Sequence, residues 1–523
     1  MAAKILWVDD EIEHLKPHIK FLKDKGMDVT PLTNGADALE LVQKESFDIV
    51  FLDENMPGMG GLEVLAELKH LAPNTPVVMI TKSEEEHIME DAIGSNIADY
   101  LIKPVKPAQI LLSCKKILDG KTLVNQKVNQ GYQQDFRNIT MQFFDANTHE
   151  DWTDIHKKLI FWESEIEKNQ DKSMAEVLQM QQQEANSNFC KFVSKNYMDW
   201  LHTKDIGKRP ILSPDLLKEK VFPHIDSDKY DSVFFILLDC LRYDQWKAFE
   251  PIISEYFYID KEEAYYGILP TATQYARNSI FAGMHPSEIQ KRYPKYWFND
   301  EDEGGKNLHE ADFLAEQITR NKFNIKSSYH KIITNEDGKL INDNVNNLFR
   351  NKFNAIVYNF IDMLSHSRTE SNIIRELAPN EAAYRSISKS WLEHSPFLAM
   401  LKKLAEKNVK VIISTDHGTV RVKKPIKIVG DKNTTTNLRY KQGKSLSYDE
   451  RDRLLFSIRK PEDAFLPKSH VSSTYVFTME DAFFAYPNNY NYYVGYYKDT
   501  FQHGGISMDE MMIPVIELTP KGR

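Results

Sequence analysis

The sequence has few cysteines, no long apolar run and no excess of basic residues, and each of these absences excludes a class of protein. Its three cysteines among 523 residues, Cys114, Cys190 and Cys240, lie far apart and form no metal-type pair, so no disulfide framework is expected. No stretch approaches 18 apolar residues, and the N-terminal MAAKILWVDDE is a short apolar run interrupted by acids, which predicts neither a membrane span nor a signal peptide. A net charge of −10 argues against binding duplex DNA through a general basic surface. We therefore expect a cytoplasmic protein.

The length of the chain predicts more than one domain. A single hydrophobic core rarely organises 523 residues, whereas 41% hydrophobic residues can fill two or three cores. Changes in composition place the boundaries near residues 120 and 205, which divides the chain into 1–120, 121–205 and 206–523.

Short apolar runs alternate with amphipathic segments in residues 1–120, which predicts a doubly wound α/β domain with a parallel sheet. The expected strands are Lys4 to Val8, Val29 to Leu32, Asp48 to Leu52, Val77 to Ile80 and Tyr100 to Ile102.

Residues 121–205 carry aromatic and aliphatic residues at helical spacing among Gln, Asn, Lys and Glu, with almost no Gly or Pro. This pattern predicts a helical bundle or a bracing helix pair rather than a flexible linker.

Residues 206–523 contain three apolar runs, Val233 to Leu238, Ala355 to Phe360 and Val409 to Ser414, each followed closely by an aspartate or ending near one. Buried strands that deliver carboxylates at their ends predict a second α/β domain.

Acidic residues at the strand ends of the first domain predict a phosphorylatable switch. Asp9, Asp10 and Asp53 form a site for a hard divalent ion, Mg2+, beside an aspartate that can accept a phosphoryl group. Thr81 follows a strand and is placed to hydrogen-bond a phosphate, while Lys103 supplies a counter-charge.

The stretches WVDDE, LDENMPGMGG, MITKS and DYLIKP resemble the response-regulator receiver family over about 120 residues. This resemblance implies that a sensor histidine kinase phosphorylates Asp53. It also implies that Thr81 and Tyr100 move together on activation and that the face carrying Tyr100 becomes a dimer interface. Pro104, after Lys103, favours a cis peptide.

A second set of residues predicts phosphate-ester chemistry in the C-terminal domain. Carboxylate and imidazole ligands recur at strand ends and turns in a mixture that zinc binds readily, and two such ions could surround one hydroxyl. The hydroxyl is provided by Thr273, at a turn followed by a predicted helix that ends near Gly283, where backbone donors favour anions. Thr271, in the same turn, is the alternative nucleophile. The candidate ligands are Asp239, Thr273, Asp362, His366, Asp416, His417 and His503.

The order of these residues resembles the PglZ-type branch of the alkaline phosphatase superfamily over roughly residues 206–523. The resemblance implies one zinc ion bound by Asp239, Thr273, Asp416 and His417 and a second bound by Asp362, His366 and His503. Manganese can replace zinc with such ligands.

The predicted reaction is attack of Thr273 on phosphorus followed by hydrolysis of the phosphothreonine. Arg242 and Arg277 are candidates to hold a nonbridging oxygen, although each could equally form a surface pair. Basic residues after Asp416 and tyrosines near the C-terminus could contact a nucleotide, but a solvated charge run and strand packing explain them as well. They are Arg421, Lys423, Lys424, Tyr486, Tyr490, Tyr492, Tyr493, Tyr496 and Tyr497.

The order of the three regions resembles the PorX-type response regulators of Bacteroidota. That resemblance implies control of type IX secretion and gliding, with a phosphodiesterase output that acts on small oligonucleotides or cyclic nucleotides. It also implies a phosphorylation-dependent homodimer and, as protein partners, a type IX secretion motor component or a sigma factor. Direct DNA binding is not expected, because no helix-turn-helix or basic stripe follows the receiver. The alternatives are a phosphomonoesterase and a signalling scaffold that acts through dimerisation and protein partners.

Overall fold

The computed structural model describes residues 2–82, 97–118, 126–168, 172–227, 229–370, 372–430, 434–468 and 470–522. The chain divides into two compact units, Met1–Phe144 with Phe161–Glu184, and Asp145–Ile160 with Ala185–Arg523. The helical region expected at 121–205 therefore contributes residues to both units, and the boundary expected near residue 120 lies outside the described residues.

The first unit contains a parallel sheet with its strands in the order β2-β1-β3-β4-β5. This is the order of doubly wound flavodoxin-like folds, in which ligands bind outside the carboxyl ends of the strands. The doubly wound prediction for this region is confirmed, and each expected strand begins within one residue of the observed one. The strands are β1 Lys4–Val8, β2 Asp28–Leu32, β3 Ile49–Asp53, β4 Val77–Thr81 and β5 Asp99–Ile102.

Helices cover this sheet, so the central strands β1, β3 and β4 are buried and read as nearly continuous apolar runs. The described α-helices of the first unit are Lys16–Asp24, Gly35–Lys44, Gly61–Leu71, Pro107–Leu118 and Gln126–Asp145. Only Asp145, the last residue of the helix Gln126–Asp145, is assigned to the second unit. Helices His149–Lys168 and Lys172–His202 each contribute residues to both units.

The second unit is built on a mixed sheet with its described strands in the order β7-β18-β10-β6-β9-β8. Strands β10, β6, β9 and β8 run parallel, whereas β18 pairs antiparallel with β10 and β7. These strands are β6 Ser232–Leu238, β7 Phe257–Tyr266, β8 Ser327–Ile332, β9 Phe353–Tyr358, β10 Val409–Ser414 and β18 Met512–Pro520.

Smaller sheets and helices surround this central sheet. The remaining strands are β11 Val420–Arg421, β12 Lys424–Lys427, β13 Tyr440–Gly443, β14 Leu455–Ile458, β15 Thr474–Thr478, β16 Ala482–Ala485 and β17 Phe501–Gln502. The helices are Phe222–Ile225, Tyr243–Ile253, Thr273–Ala282, Pro286–Arg292, Glu310–Arg320, Asn335–Asp343, Val345–Leu348, Phe360–Glu370, Asn372–Leu377, Glu381–His394, Pro396–Leu404, Tyr490–Tyr497 and Met508–Met511. None of the described helices combines the length and the apolar character that crossing a bilayer requires.

Strand geometry explains where the acids of the second unit meet. Strands β9, β6 and β10 are parallel neighbours, and their buried side chains come from the three predicted apolar runs. Because parallel neighbours end at the same edge of a sheet, the residues that follow these strands converge there.

Candidate active site and receiver site

The first cluster of candidate ligands lies at the carboxyl ends of β6 and β10. Potential ligand atoms of Asp239, Asp416 and His417 all lie within 4.8 Å of one another, and all three residues are buried. His417 Nε2 is 4.0 Å from Asp239 Oδ1 and 3.8 Å from Asp416 Oδ2. The buried Asp239 Oδ1 accepts no hydrogen bond from the described residues, which is costly unless a cation faces it. This cluster therefore fits a metal ion.

The second cluster joins Asp362, His366 and His503, again with ligand atoms within 4.8 Å of one another. Asp362 and His366 occupy successive turns of the helix Phe360–Glu370, so their side chains lie on one face, with His366 Nε2 3.4 Å from Asp362 Oδ1. His503 Nε2 lies 4.0 Å from the same oxygen. His366 is largely exposed, so this cluster opens to solvent whereas the first does not.

The two clusters adjoin each other through their histidines. The rings of His417 and His503 stack with centroids 4.1 Å apart and planes 16° apart. Their Nδ1 atoms lie 3.2 Å from the Gly418 carbonyl and 3.1 Å from the Thr271 carbonyl, respectively. A carbonyl only accepts hydrogen bonds, so each Nδ1 carries the proton and each Nε2 presents a lone pair to the site. Histidine ligands of metals show this arrangement.

Thr273 begins the helix Thr273–Ala282, which ends at Gly283 in the left-handed conformation, as the sequence predicts. Its Oγ1 lies 3.0 Å from Nε2 of His417. Thr271 is buried and faces elsewhere: its hydroxyl donates to the Gly505 carbonyl at 2.8 Å and accepts from the Gly504 amide at 3.0 Å. Thr271 thus fixes the turn that carries His503, and the hydroxyl among the ligand atoms belongs to Thr273.

Close backbone packing requires glycine beside both clusters. A Cβ on Gly418, next to His417, would approach the Asp509 carbonyl oxygen to 1.9 Å. A Cβ on Gly505 would approach the Thr478 carbonyl oxygen to 2.4 Å. These contacts explain why the sequence reads DHG and HGG at the two turns.

The two candidate arginines are engaged by carboxylates. Arg242 is buried, and its Nε donates to Asp244 Oδ1 at 2.8 Å. Arg277 is fully buried: its Nε donates to Asp416 Oδ2 at 2.9 Å and its guanidinium also pairs with Asp239. Both arginines are buried, so neither forms the surface pair considered as the alternative, and their contact with a nonbridging phosphate oxygen stays a prediction.

Burial and charge perturb the ionisation of these groups in opposite directions. Burial raises the pKa of Asp239 well above its usual value, although the Arg277 cation opposes this shift. Burial alone would also raise the pKa of Asp416, but the charge and the hydrogen bond of Arg277 outweigh it and hold this pKa low. Burial lowers the pKa of His503 to about 3, which keeps its imidazole neutral and able to act as a ligand.

Three supporting residues were not anticipated from the sequence. Glu310 is buried against Arg277, and Thr415 Oγ1 donates to Asp416 Oδ1 at 3.2 Å. Asn307 Nδ2 donates to the Thr273 carbonyl at 3.1 Å. Thr415 could have been identified as a supporting residue because it directly precedes Asp416, but Glu310 and Asn307 lie in segments that carry no periodic or motif signal.

Two of the basic residues after His417, Arg421 and Lys424, form ion pairs within the protein. Arg421 lies 3.3 Å from Glu381 and 3.0 Å from Asp499, and Lys424 lies 3.0 Å from Glu480. Most of the tyrosines lie in the helix Tyr490–Tyr497, rather than in the strand pair considered from the sequence. Tyr492 is 66% exposed and stacks on Tyr496, with ring centroids 6.1 Å apart.

The receiver site lies at the carboxyl edge of the first sheet. Asp9 and Asp53 are buried and Asp10 is exposed, and potential ligand oxygens of the three lie within 4.8 Å of one another. Lys103 Nζ lies 2.9 Å from both Asp9 and Asp53. Burial raises the pKa of Asp53, the nearby Asp9 adds to this effect, and Lys103 opposes it. Thr81 is buried at the end of β4.

Lys103 and Pro104 are joined by a cis peptide bond, as the sequence favours. At strand β5, which precedes Lys103, the guanidinium of Arg137 lies 4.4 Å from the centroid of the Tyr100 ring. Arg137 also pairs with Asp99 at 2.7 Å. The helix Gln126–Asp145 therefore contacts Tyr100 directly.

Comparison with known proteins assigns each region of the chain. The family model for the BREX system PglZ alkaline phosphatase-like domain matches residues 216–518. The model for the PorX response regulator linker domain matches residues 122–201, and that for the response regulator receiver domain matches residues 5–115.

Individual curated relatives match about a quarter of this chain. The alginate biosynthesis transcriptional regulatory protein AlgB of Pseudomonas syringae is 38% identical over 121 residues, 23% of this chain and 27% of that protein. The transcriptional regulatory protein SrrA of Staphylococcus aureus is 30% identical over 119 residues, 23% of this chain and 48% of that protein. The chain thus spans between about a quarter and a half of these curated relatives.

Among solved structures, the Vibrio cholerae chemotaxis protein CheY4 is 29% identical, with a TM-score of 0.22, covering 23% of this chain and 100% of that one. The Thermotoga maritima response regulator DrrB is 28% identical, with a TM-score of 0.22, covering 23% of this chain and 54% of that one.

The PglZ match covers more than half of the 523 residues. Together with the receiver and linker matches, it gives the domain architecture of PorX-type response regulators, and a receiver of this kind takes its phosphoryl group from a donor such as a histidine kinase. The chain belongs to the PglZ family of alkaline phosphatase-like domains, whose architecture here is that of a PorX-type response regulator.

Proposed function

We propose that this response regulator carries a zinc-dependent phosphodiesterase as its output domain and that phosphorylation of Asp53 controls it. Its substrates are small oligonucleotides or cyclic nucleotides, and its domains are residues 1–120, 121–205 and 206–523. The observation that carries this proposal is the position of the Thr273 hydroxyl, 3.0 Å from His417 Nε2, in a site where two ligand clusters adjoin.

The ligand atoms in the two clusters fit two metal ions. Asp239, Asp416, His417 and Thr273 would hold one ion, and Asp362, His366 and His503 would hold the other. When bound, zinc lowers the pKa of hydroxyl groups and water and neutralises charge on phosphoryl oxygens. The buried Asp239 Oδ1, which accepts no hydrogen bond from the described residues, supports this assignment.

The chain itself supplies the nucleophile and its orientation. Thr273 begins a helix, where the backbone dipole favours negative charge on its oxygen. Asn307 fixes the Thr273 backbone, and Gly418 holds the ring of His417 through its carbonyl. Attack of Oγ1 on phosphorus breaks the bond from phosphorus to the departing alcohol oxygen. Water then cleaves the phosphothreonine, which releases a phosphate monoester and restores the hydroxyl.

The described contacts favour a diester over a monoester as the substrate. A phosphate monoester carries additional negative charge, which an alkaline phosphatase-like site must balance with further cationic groups. Arg242 and Arg277, the two candidates for that role, are committed to Asp244 and to the pair Asp239 and Asp416.

Regulation and cellular role follow from the architecture in this proposal. A sensor histidine kinase phosphorylates Asp53 in the presence of Mg2+ held by Asp9, Asp10 and Asp53, and phosphorylation drives homodimerisation through the face that carries Tyr100. The protein acts in the cytoplasm and controls type IX secretion and gliding through a secretion motor component or a sigma factor.

The test is hydrolysis of bis(p-nitrophenyl) phosphate beside p-nitrophenyl phosphate by zinc-loaded protein, with metal content measured in the same samples. We expect turnover of the diester to exceed that of the monoester and to disappear after chelation. Preferential monoester turnover would identify a phosphomonoesterase, and two bound zinc ions with neither ester hydrolysed would favour the signalling scaffold.

A further inference from the structure

Arg277 is a fully buried cation in contact with three carboxylates. It lies one helical turn after Thr273, on the same helix and the same face. Its Nε donates to Asp416 at 2.9 Å, its guanidinium pairs with Asp239, and its third contact is Glu310, 3.5 Å away. The fork geometry of a guanidinium allows one arginine to orient several carboxylate oxygens at once.

Two of the carboxylates that contact Arg277, those of Asp239 and Asp416, also belong to the first cluster of candidate metal ligands. Asp239 pairs with Arg277 through Oδ2, whereas its Oδ1 lies 4.0 Å from Nε2 of His417. The rotation of the Asp239 carboxylate, and with it the direction of Oδ1, therefore depends on where the guanidinium is held.

Glu310 holds the opposite edge of that guanidinium. It is the first residue of the helix Glu310–Arg320 and is 2% exposed. Its Oε2 accepts hydrogen bonds from Tyr329 at 2.6 Å and Lys331 at 2.9 Å, both on strand β8, while Oε1 faces Arg277. A buried carboxylate with this many partners has one orientation, and losing its charge would leave part of a buried arginine without a counter-ion.

We propose that Glu310 is a positioning residue that acts through Arg277 to hold Asp239 and Asp416 in the orientation that binds a metal ion. This inference rests on the metal site of the proposed function and extends it to a residue that contacts neither substrate nor metal. Groups that orient metal ligands in this way typically change metal affinity by about 10- to 100-fold when they are removed.

The experiment measures zinc affinity and stoichiometry by competition with a chromogenic chelator, using the full chain. We expect Glu310→Gln to weaken the binding of one zinc ion by about 10- to 100-fold and to leave the other unchanged. Glu310→Asp should retain more affinity than Glu310→Gln because it keeps the charge. Tyr329→Phe, which removes one hydrogen bond to Glu310, should weaken the same ion to a smaller extent and serves if Glu310→Gln does not fold.

The matched control is Glu262→Gln. Glu262 also accepts hydrogen bonds from a tyrosine and a lysine, Tyr243 and Lys247, but belongs to neither ligand cluster. Zinc binding should therefore be unchanged in this variant.

The possible results separate this inference from the proposed function. If wild type binds two zinc ions and Glu310→Gln binds both with unchanged affinity, the positioning role is wrong and the metal site stands. Equal weakening of both ions, or equal weakening by Glu262→Gln, would show a general structural effect and would also overturn the role. If wild type binds no zinc, the metal site itself is wrong.

Discussion

Thr271 and Thr273 lie two residues apart, and the structure predicts opposite consequences for replacing each by valine. Valine closely matches threonine in shape, so each substitution removes a hydroxyl and little else. The Thr273 hydroxyl is half-buried, and its hydrogen bond in the described structure is with His417. The Thr271 hydroxyl is buried and bridges the Gly504 amide and the Gly505 carbonyl.

Thr273→Val should therefore reduce catalysis without greatly changing stability. Loss of a nucleophile costs about 10³-fold or more in kcat, because the covalent step is removed while substrate binding remains. The stability change should be about 1 kcal/mol or less, since one hydrogen bond to a partly accessible group is lost.

Thr271→Val should do the reverse. It removes two hydrogen bonds and leaves a buried amide and carbonyl without their partner, which costs about 2–4 kcal/mol. The nucleophile is intact, so at temperatures well below the unfolding midpoint kcat on the diester should stay within about tenfold of wild type.

The assay combines diester hydrolysis by zinc-loaded protein with the thermal unfolding midpoint of each variant. The expected pattern is an inactive Thr273→Val with a near-normal midpoint and an active Thr271→Val whose midpoint is lower by several degrees. Retained turnover in Thr273→Val, or its complete loss in a stably folded Thr271→Val, would refute this assignment of the nucleophile.

Three further predictions concern the switch and the response to pH. A phosphoryl mimic should shift wild type toward a dimer in light scattering and leave Asp53→Ala unchanged, whereas an unshifted wild type would count against dimerisation. Arg137→Ala frees Tyr100 from a partly exposed cation–π contact, so about two- to fivefold less mimic should suffice for half-maximal dimer, and an unchanged titration would contradict this. Burial lowers the pKa of His156 from 6.5 to about 4, so its contribution to stability is complete above pH 6.5 and is lost as the pH falls toward 4. The thermal midpoint of wild type should accordingly fall more between pH 7 and pH 5 than that of His156→Gln, and parallel curves would exclude the effect.

The sequence was sufficient for several strands of the two main sheets because most of their residues are buried. Strands β1 and β10 have the predicted limits, Lys4–Val8 and Val409–Ser414, since helices or neighbouring strands cover them and, apart from Lys4 and Lys410, their residues are apolar or small. Strand β9 begins at Phe353, two residues before the predicted start, because Asn354 is polar yet buried through a hydrogen bond with Ser232. A polar residue satisfied by a distant partner carries no local signal of burial.

The difference between local patterns and contacts with distant residues also explains what could be predicted about the candidate site. His417 and His503 could be identified because each is followed within two residues by a glycine, Gly418 or Gly505, that close backbone packing requires, which leaves a local pattern in the chain. The contacts of Arg277 could not be identified, because Asp239 and Glu310 lie 38 residues before it and 33 residues after it, and only the fold brings them together. From the sequence, an arginine on the helix of a predicted nucleophile shows only its proximity to that nucleophile, which makes it a candidate to hold a phosphate oxygen.

The arrangement of charge around Arg277 connects the diester proposal with the metal site. Asp239, Asp416 and Glu310 contribute three buried carboxylates, and Arg277 and Lys331 are the cations that contact them in the described structure. A positive charge used to hold ligand carboxylates is not available to stabilise the additional charge of a monoester. If Arg277 is required to orient the metal ligands, the preference for a less charged substrate follows from the same contacts. The zinc affinity of Glu310→Gln and the ratio of diester to monoester turnover in wild type would therefore test two consequences of one buried arginine.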